Sequence, residues 1–132
     1  MVSLNVDWHV QDRVIYVRWP DVLTLDIAAE ANAKVMPLLD AGVPLVHMIH
    51  DATVMKKYPV NVLKLKQAFV FLSHPSLGWS VTATSDPMVV FLATVLPQVD
   101  RGSRYKVFKT IPEVLKFLEE RDPSIRQGII NT

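Results

Sequence analysis

The length and composition of the chain indicate one folded domain of ordinary size. The sequence has 132 residues, of which 50% are hydrophobic and 20% are charged, and its formal net charge is +1. This balance excludes a disordered chain, and the low net charge gives no electrostatic reason to expect nucleic acid as a partner. Because the chain has no cysteine, disulfide bonds and thiolate metal sites are excluded, which fits a reducing compartment.

The termini and the hydropathy pattern predict a cytoplasmic protein. Charged residues occur early in the N-terminal stretch MVSLNVDWHVQDR, which lacks the apolar core of a signal peptide. No apolar stretch reaches the length that a transmembrane helix needs. We expect a single domain over residues 1–132, without a transmembrane segment and with a loose tail over 124–132.

The chain is predicted to open with a β-hairpin. Residues 4–9 and 13–19 both show the alternation of a strand, and Gln11 and Asp12 form a tight connection between them. Pro20 ends the second strand.

A helix is predicted over residues 25–40. Thr24 is suited to be its N-cap, and apolar side chains recur at helical spacing on one face. Pro37 lies inside this pattern and is expected to kink the helix or to end its regular part early. Gly42 is expected to terminate it in the left-handed conformation.

The central element is the run LVHMIH at 45–50, whose length favours a buried strand. A polar loop over 51–61 follows it. In an open α/β sheet, ligands usually bind where a loop leaves the carboxyl end of a central strand. We therefore predict that this loop binds a ligand or a partner, and the candidate residues are His50, Asp51, Thr53, Lys56, Lys57, Tyr58 and Asn61.

A second helix is predicted after Pro59, ending before Pro75. One face of this helix is formed by Val62, Leu65, Phe69 and Leu72. Phe71 falls on the far side of the same helix, where it is expected to leave the core.

Residues 78–85 predict another strand, with Trp79, Val81 and Ala83 on one face and Ser80, Thr82 and Thr84 on the other. Asp86 and Pro87 then begin a helix over 88–96 that is apolar on all sides. Either the C-terminal tail or Phe117 and its neighbours cover the outer side of this helix, or that side meets a second copy of the chain, another protein, a membrane or an apolar ligand. The predicted apolar patch comprises Phe71, Met88, Val89, Phe91, Leu92 and Val95.

The last elements are a turn over 100–103, a strand over 105–108 and a helix that begins at a Thr110–Glu113 capping box and ends before Pro123. The resulting order is β-β-α-β-α-β-α-β-α. Alternating strands and helices require parallel strands. We therefore predict an α/β fold with a mixed five-stranded sheet, in which the first strand is antiparallel and the others are parallel, with four helices mainly on one face.

Four features accompany this order: a first strand that contains Trp, the strand end LVHMIHD, the passage HPSLGWSV and the capped final helix FKTIPEVLKFLEE. Together they resemble the STAS domain superfamily and, within it, the SpoIIAA-like group of small stand-alone proteins. The resemblance covers the chain from Leu4 to about Glu120.

Two functions follow from the resemblance. Anti-sigma-factor antagonists of this superfamily carry a phosphorylatable serine or threonine where the helix after the central strand begins. Here that place is occupied by YPVN, residues 58–61, in which Tyr58 is not the expected acceptor, and Thr53 lies too early in the loop. Other relatives, including proteins similar to the lipid-binding CRAL-TRIO group, are associated with apolar ligands or membrane surfaces.

The residues give little reason to expect an enzyme. His50 and Asp51 could form a general base and its orienting acid, but neighbouring side chains on a strand point to opposite faces. His47 is more typical of a core histidine, and the four histidines lack the spacing of a metal site. No GxSxG, GxGxxG or GxxxxGK motif is present. Two groups of basic residues could bind phosphate or an anionic headgroup, but solvated charges around a sheet edge are the favoured interpretation; these residues are Lys56 and Lys57 in the loop and Arg101, Arg104, Lys106 and Lys109.

We therefore expect a non-enzymatic binding or regulatory module without a cofactor or a metal. Its ligand would be an apolar small molecule or lipid, or a protein partner, and a homodimer would explain the apolar helix. The alternatives are a phosphorylation switch of the anti-sigma-antagonist type and an enzyme built on His50 and Asp51.

Overall fold

A computed structural model describes residues 3–98 and 104–126 of the chain. The described residues form five strands: β1 (Asn5–Val10), β2 (Val14–Arg18), β3 (Val46–Asp51), β4 (Leu77–Ala83) and β5 (Arg104–Phe108). They also form four α-helices: α1 (Leu25–Ala41), α2 (Val62–Ala68), α3 (Pro87–Val95) and α4 (Ile111–Arg121). Two 3₁₀ helices, Val70–Ser73 and Pro123–Ile125, follow α2 and α4. The turn predicted over 100–103 lies outside the described residues.

The strands form one sheet in the order β1-β2-β3-β4-β5. β1 pairs with β2 antiparallel, and each later pair is parallel. The predicted fold class is therefore confirmed. β3 lies at the centre, and all six of its residues are buried, including His47, His50 and Asp51.

Each face of the sheet carries its own core. The larger core lies between one face and α1, α2 and α3, and includes Ile15, Val17 and Met48 from the strands. The smaller core lies between the opposite face and α4, and includes Ile49 and Val81. Helices thus cover mainly one face, and α4 alone of the four described α-helices covers the other.

The helix starts follow from local sequence. The Thr24 hydroxyl accepts a hydrogen bond from the Ile27 N–H, and the Asp86 carboxylate accepts one from the Met88 N–H. At α4 the Thr110 hydroxyl accepts the Glu113 N–H and donates to the Glu113 carboxylate. These three caps confirm the predicted helix boundaries.

The end of α1 differs from the prediction. Of the two effects expected of Pro37, an early end does not occur, because the helix continues to Ala41. The expectation for Gly42 was wrong. Gly42 has φ −75° and ψ 170°, so it is extended and not left-handed. Glycine is needed there because a Cβ would lie 2.6 Å from Val46 Cγ2 and 3.0 Å from the Asp12 carbonyl oxygen. The left-handed residue of this region is Asp12, with φ 66°, in the hairpin turn.

The second helix is shorter than its pattern predicts. It ends at Ala68, and the chain tightens into the 3₁₀ helix over Val70–Ser73. The Asn32 side chain of α1 satisfies the backbone at this break, donating to the Ala68 carbonyl and accepting from the Phe71 N–H. The changed helical period turns Phe71 inward, so the expectation that it leaves the core was wrong: its side chain is 1% exposed.

Two expectations about the C-terminal part are corrected, the first of them over residues 124–126 alone. The tail predicted to be loose begins with an ordered turn. In this turn Ile125 is buried and the Ser124 hydroxyl accepts a hydrogen bond from Arg13. Residues 127–132 lie outside the described part. Phe117 does not cover α3, because it packs against Trp79 and Phe108 on the opposite face of the sheet.

Candidate ligand-binding site

A cavity lies between the larger core's face of the sheet and the helices α2 and α3. The cavity is open to solvent, and the space between its walls, counted together with the solvent at its mouth, is about 580 Å³. Its walls are mostly aliphatic and aromatic, as in small-molecule sites. The lining residues come from β3 and β4, from the segments that follow β2 and β3, and from the region of α2, the first 3₁₀ helix and α3. They are Trp19, Leu23, His50, Ala52, Met55, Leu65, Phe69, Phe71, Leu72, Ser80, Thr82, Val89, Leu92, Ala93, Leu96 and Pro97.

Aromatic rings form one side of the cavity. The His50 ring lies nearly parallel to Trp19, with ring centroids 6.0 Å apart, and to Phe71, with centroids 5.9 Å apart. Phe69 meets Trp19 edge to face at 5.5 Å. The four rings pack against one another, and such pairs are stabilised beyond the burial of their area.

The polar floor of the cavity is a hydrogen-bonded chain. The Trp19 indole N–H donates to His50 Nδ1 over 3.2 Å, and His50 Nε2 lies 2.9 Å from the Ser80 hydroxyl. Because an indole nitrogen can only donate, Nδ1 must be the acceptor. The neutral ring therefore carries its proton on Nε2 and donates it to Ser80.

The electrostatics keep His50 uncharged. Burial lowers the pKa of His50 to about 4, because the imidazolium would lose its hydration. None of the described residues that line the cavity is Asp, Glu, Lys or Arg. At neutral pH the described lining therefore presents hydroxyls and a neutral imidazole on an apolar surface.

The predicted loop contributes less to this cavity than the sequence suggests. Of its candidate residues, His50 lines the cavity, together with the loop residues Ala52 and Met55. Lys56 and Lys57 are exposed, and their backbone N–H groups donate to the Asp21 carbonyl. Tyr58 donates its hydroxyl hydrogen to Asp86, the N-cap of α3, over 2.8 Å. The loop is thus held against its neighbours, and these side chains are not among the cavity's lining.

Asp51 lies on the opposite face of the sheet from His50. Its carboxylate accepts hydrogen bonds from the Tyr16 hydroxyl at 2.5 Å and from the Thr53 hydroxyl and N–H. Burial by itself raises the pKa of Asp51, but these hydrogen bonds and the charge of Arg18 outweigh it, so the pKa is lowered. His50 and Asp51 therefore do not form a dyad, as the alternation of strand side chains predicts.

The start of α2 lacks a phosphorylatable group. Asn61 is the N-cap and accepts a hydrogen bond from the Lys64 N–H, and Val62 is the first helical residue. Thr53 lies at the other end of the loop, with its hydroxyl bonded to Asp51.

The predicted apolar patch divides into an inner and an outer part. Val89 and Leu92 are buried and line the cavity, as does Phe71, so these three do not belong to an outer surface. Met88 and Phe91 face outward and are 43% and 51% exposed, and Val95 is partly buried. The outer part is smaller than the sequence suggests.

Sequence reasoning missed Trp19, Met55 and Ser80 as site residues. The alternation in β4 places Ser80 and Thr82 on the face opposite Trp79, and this signal was present. What the sequence lacks is the pairing of β2 and β4 on either side of β3, which brings Trp19 and Ser80 to the same histidine.

A second buried histidine lies on the opposite face. His47 Nδ1 accepts the Trp79 N–H at 2.9 Å, so its Nε2–H donates to Asp122, also at 2.9 Å. Asp122 forms a salt bridge with Arg13 at 2.6 Å. Burial lowers the pKa of His47 despite the nearby carboxylate. This histidine is a satisfied core residue, as predicted.

Other features of the described residues are surface charges and ordinary packing. Arg104, Lys106 and Lys109 are exposed, whereas Arg101 lies outside the described part. Within 3–98 and 104–126 there is no group of three side chains suited to hold a metal ion. In the same ranges, no helix combines the length and the apolar character needed to cross a bilayer.

The comparison with solved structures supports the predicted fold. No family model and no curated protein matches the chain. The solved structure of the anti-sigma factor antagonist SpoIIAA in its unphosphorylated form superposes with a TM-score of 0.60 at 10% sequence identity, over 89% of this chain and 97% of the SpoIIAA chain. Identity this low bears on the fold alone. The chain therefore has a fold similar to that of SpoIIAA.

Proposed function

We propose that this protein is a non-enzymatic regulatory module that binds a small, mostly apolar molecule in the cavity between the sheet and helices α2 and α3. The observation that carries the proposal is the cavity itself, which combines apolar walls with a small polar floor. Its position at the carboxyl ends of the central strands is where open α/β sheets usually bind ligands.

The side chains favour binding over catalysis. A general base has to exchange a proton with its substrate near neutral pH, whereas burial holds the pKa of His50 at about 4. The carboxylate nearest in sequence, Asp51, faces away from the cavity and is fully engaged by Tyr16 and Thr53. The structural likeness to an anti-sigma factor antagonist supports a regulatory role through the fold.

The first test is native mass spectrometry of the purified protein, followed by denaturing conditions. We expect a small-molecule adduct that is lost on denaturation. Ala93→Phe places a ring in the cavity and should abolish the adduct, because Ala93 lines it. Val90→Phe is the matched control, since Val90 is exposed on the same helix and its variant should keep the adduct.

The proposal fails if the protein carries no adduct and takes up no apolar compound when one is added. It also fails if Ala93→Phe keeps the full adduct while remaining folded. The spectrum also reads the oligomeric state, which tests the predicted homodimer through the exposed outer side chains Met88 and Phe91. A protein partner at that surface stays a prediction.

A further inference from the structure

The hydrogen bonds on the polar floor of the cavity all run in the same sense, from Trp19 towards Ser80. Hydrogen bonds run from the Trp19 indole to His50 and from His50 to Ser80, so each group in the chain donates to the next. The Ser80 hydroxyl accepts the last of these bonds, and its own hydrogen has no acceptor among the described residues. Ser80 is 4% exposed and lines the cavity, so this hydrogen is a buried donor available to a molecule inside it.

The chain strengthens this donor. A hydroxyl that accepts a hydrogen bond is polarised and donates more strongly, above all where water is excluded. Leaving a buried donor without a partner is costly. A ligand that supplies an acceptor at this point would therefore bind more tightly than a purely apolar molecule of the same shape.

The charge balance limits which acceptor fits. The described lining contains no cationic side chain, and His50 is held neutral by its burial. A carboxylate or phosphate would lose its hydration in exchange for no more than the hydroxyl donors of Ser80 and Thr82, which is unfavourable. An uncharged oxygen, such as that of a ketone, ester or ether, loses far less.

We propose that the ligand is a small, mostly apolar molecule whose inner end carries an uncharged hydrogen-bond acceptor, and that this acceptor receives the hydroxyl hydrogen of Ser80. This inference rests on the proposed function, since it specifies the class of molecule that the same cavity binds. Ser80 then selects the ligand, and the aromatic wall holds its apolar part.

The test compares three compounds of similar shape by nuclear magnetic resonance titration, observing the Trp19 indole N–H. Propiophenone carries a neutral acceptor, propylbenzene has none, and phenylacetate carries a charge. We expect propiophenone to bind about fivefold more tightly than propylbenzene, the value of one hydrogen bond of about 1 kcal/mol. Phenylacetate should bind more weakly than either.

Variants of β4 locate the effect. Ser80→Ala should reduce the preference for propiophenone over propylbenzene to less than twofold. Thr82→Val is the matched control, because Thr82 lines the cavity from the same strand but lies outside the Trp19–His50–Ser80 chain. It should keep the preference.

Each other outcome has a definite meaning. If propylbenzene binds as tightly as propiophenone, or if phenylacetate binds most tightly, the inference is overturned while the apolar site stands. A preference that persists in Ser80→Ala also overturns it, since another group would be the donor. If none of the three compounds binds, the proposed function itself fails.

Discussion

The two buried histidines of β3 show how differently the two faces of the sheet are used. His47 and His50 lie three residues apart on opposite faces, and each carries its proton on Nε2, because an N–H group donates to its Nδ1. The network of His47 ends at the Asp122 carboxylate, which also accepts from the Arg13 guanidinium, so His47 donates to a charged group. The network of His50 ends at Ser80, on the edge of the cavity.

The comparison teaches that burial of a histidine does not by itself indicate a functional site. His47 joins the sheet to the end of α4 and has no further group to offer. His50 donates to the hydroxyl of Ser80, which can still donate its own hydrogen. The two histidines differ in what lies next to their hydrogen bonds: the His50 network borders the cavity, whereas the His47 network ends at Asp122 and Arg13. Three sets of variants test this difference.

The largest expected effect comes from the wall of the cavity. Phe71→Ala should lower the free energy of unfolding by about 4 kcal/mol, as large-to-small substitutions of buried aromatic side chains do. Phe71 is 1% exposed and packs on His50 and Phe69. Urea unfolding measures the change, and Phe91→Ala is the control, because that ring is 51% exposed and should change stability by less than about 1 kcal/mol. Equal losses in the free energy of unfolding would show that Phe71 contributes no more to stability than an exposed ring does.

The next effect is a dependence of stability on pH through His50. Its pKa is about 4 in the folded protein and 6.5 in an unfolded chain, so the unfolded state binds more protons between these values. Stability is complete above pH 6.5 and falls as the pH is lowered towards 4, by roughly 3 kcal/mol from this residue at 1.36 kcal/mol per pKa unit. Urea unfolding at a series of pH values measures it.

His50→Gln isolates this contribution. A glutamine side chain can accept from Trp19 and donate to Ser80 without titrating. The variant should lose less stability than the wild type between pH 7 and 4, although His47, whose pKa is also lowered, still contributes in the same direction. Identical pH profiles would mean that His50 is not held neutral by burial.

The smallest of the three effects concerns the closed network. Asp122→Ala removes the acceptor of both His47 and Arg13, and it should cost about 2 kcal/mol, since hydrogen bonds to charged groups exceed neutral ones. Glu30→Ala breaks the exposed Lys34–Glu30 pair and should cost less than about 0.5 kcal/mol. Comparable losses of stability in the two variants would show that the Asp122 network contributes no more than an exposed ion pair.

As the pH is lowered, His50 should be protonated before Asp122, so the hydrogen bonds of His47 and Arg13 to Asp122 should persist to a lower pH. Burial raises the pKa of Asp122, but hydrogen bonds from Ser124 and His47 and the charge of Arg13 outweigh this and lower it to about 2. Its contribution is therefore present above the ordinary pKa of an aspartate and is lost as the pH falls towards 2.

Local sequence was sufficient to predict most elements of the fold. The caps at Thr24, Asp86 and Thr110 and the alternation along β4 depend on a few neighbouring residues, so they could be located without the tertiary structure. The break after Ala68 could not, because it depends on an amide from Asn32, which lies in another helix. The prediction for Phe71 failed for this reason.

The sequence by itself determined the element order, and with it the mixed sheet, because strands that alternate with helices must run parallel. It also determined that His50 and Asp51 face apart, since successive side chains on a strand alternate. The tertiary structure alone decided where the cavity lies. Strands β2 and β4 pair on either side of β3 and bring Trp19 and Ser80 to His50, and contacts between residues so distant in sequence follow from packing, which local patterns do not encode.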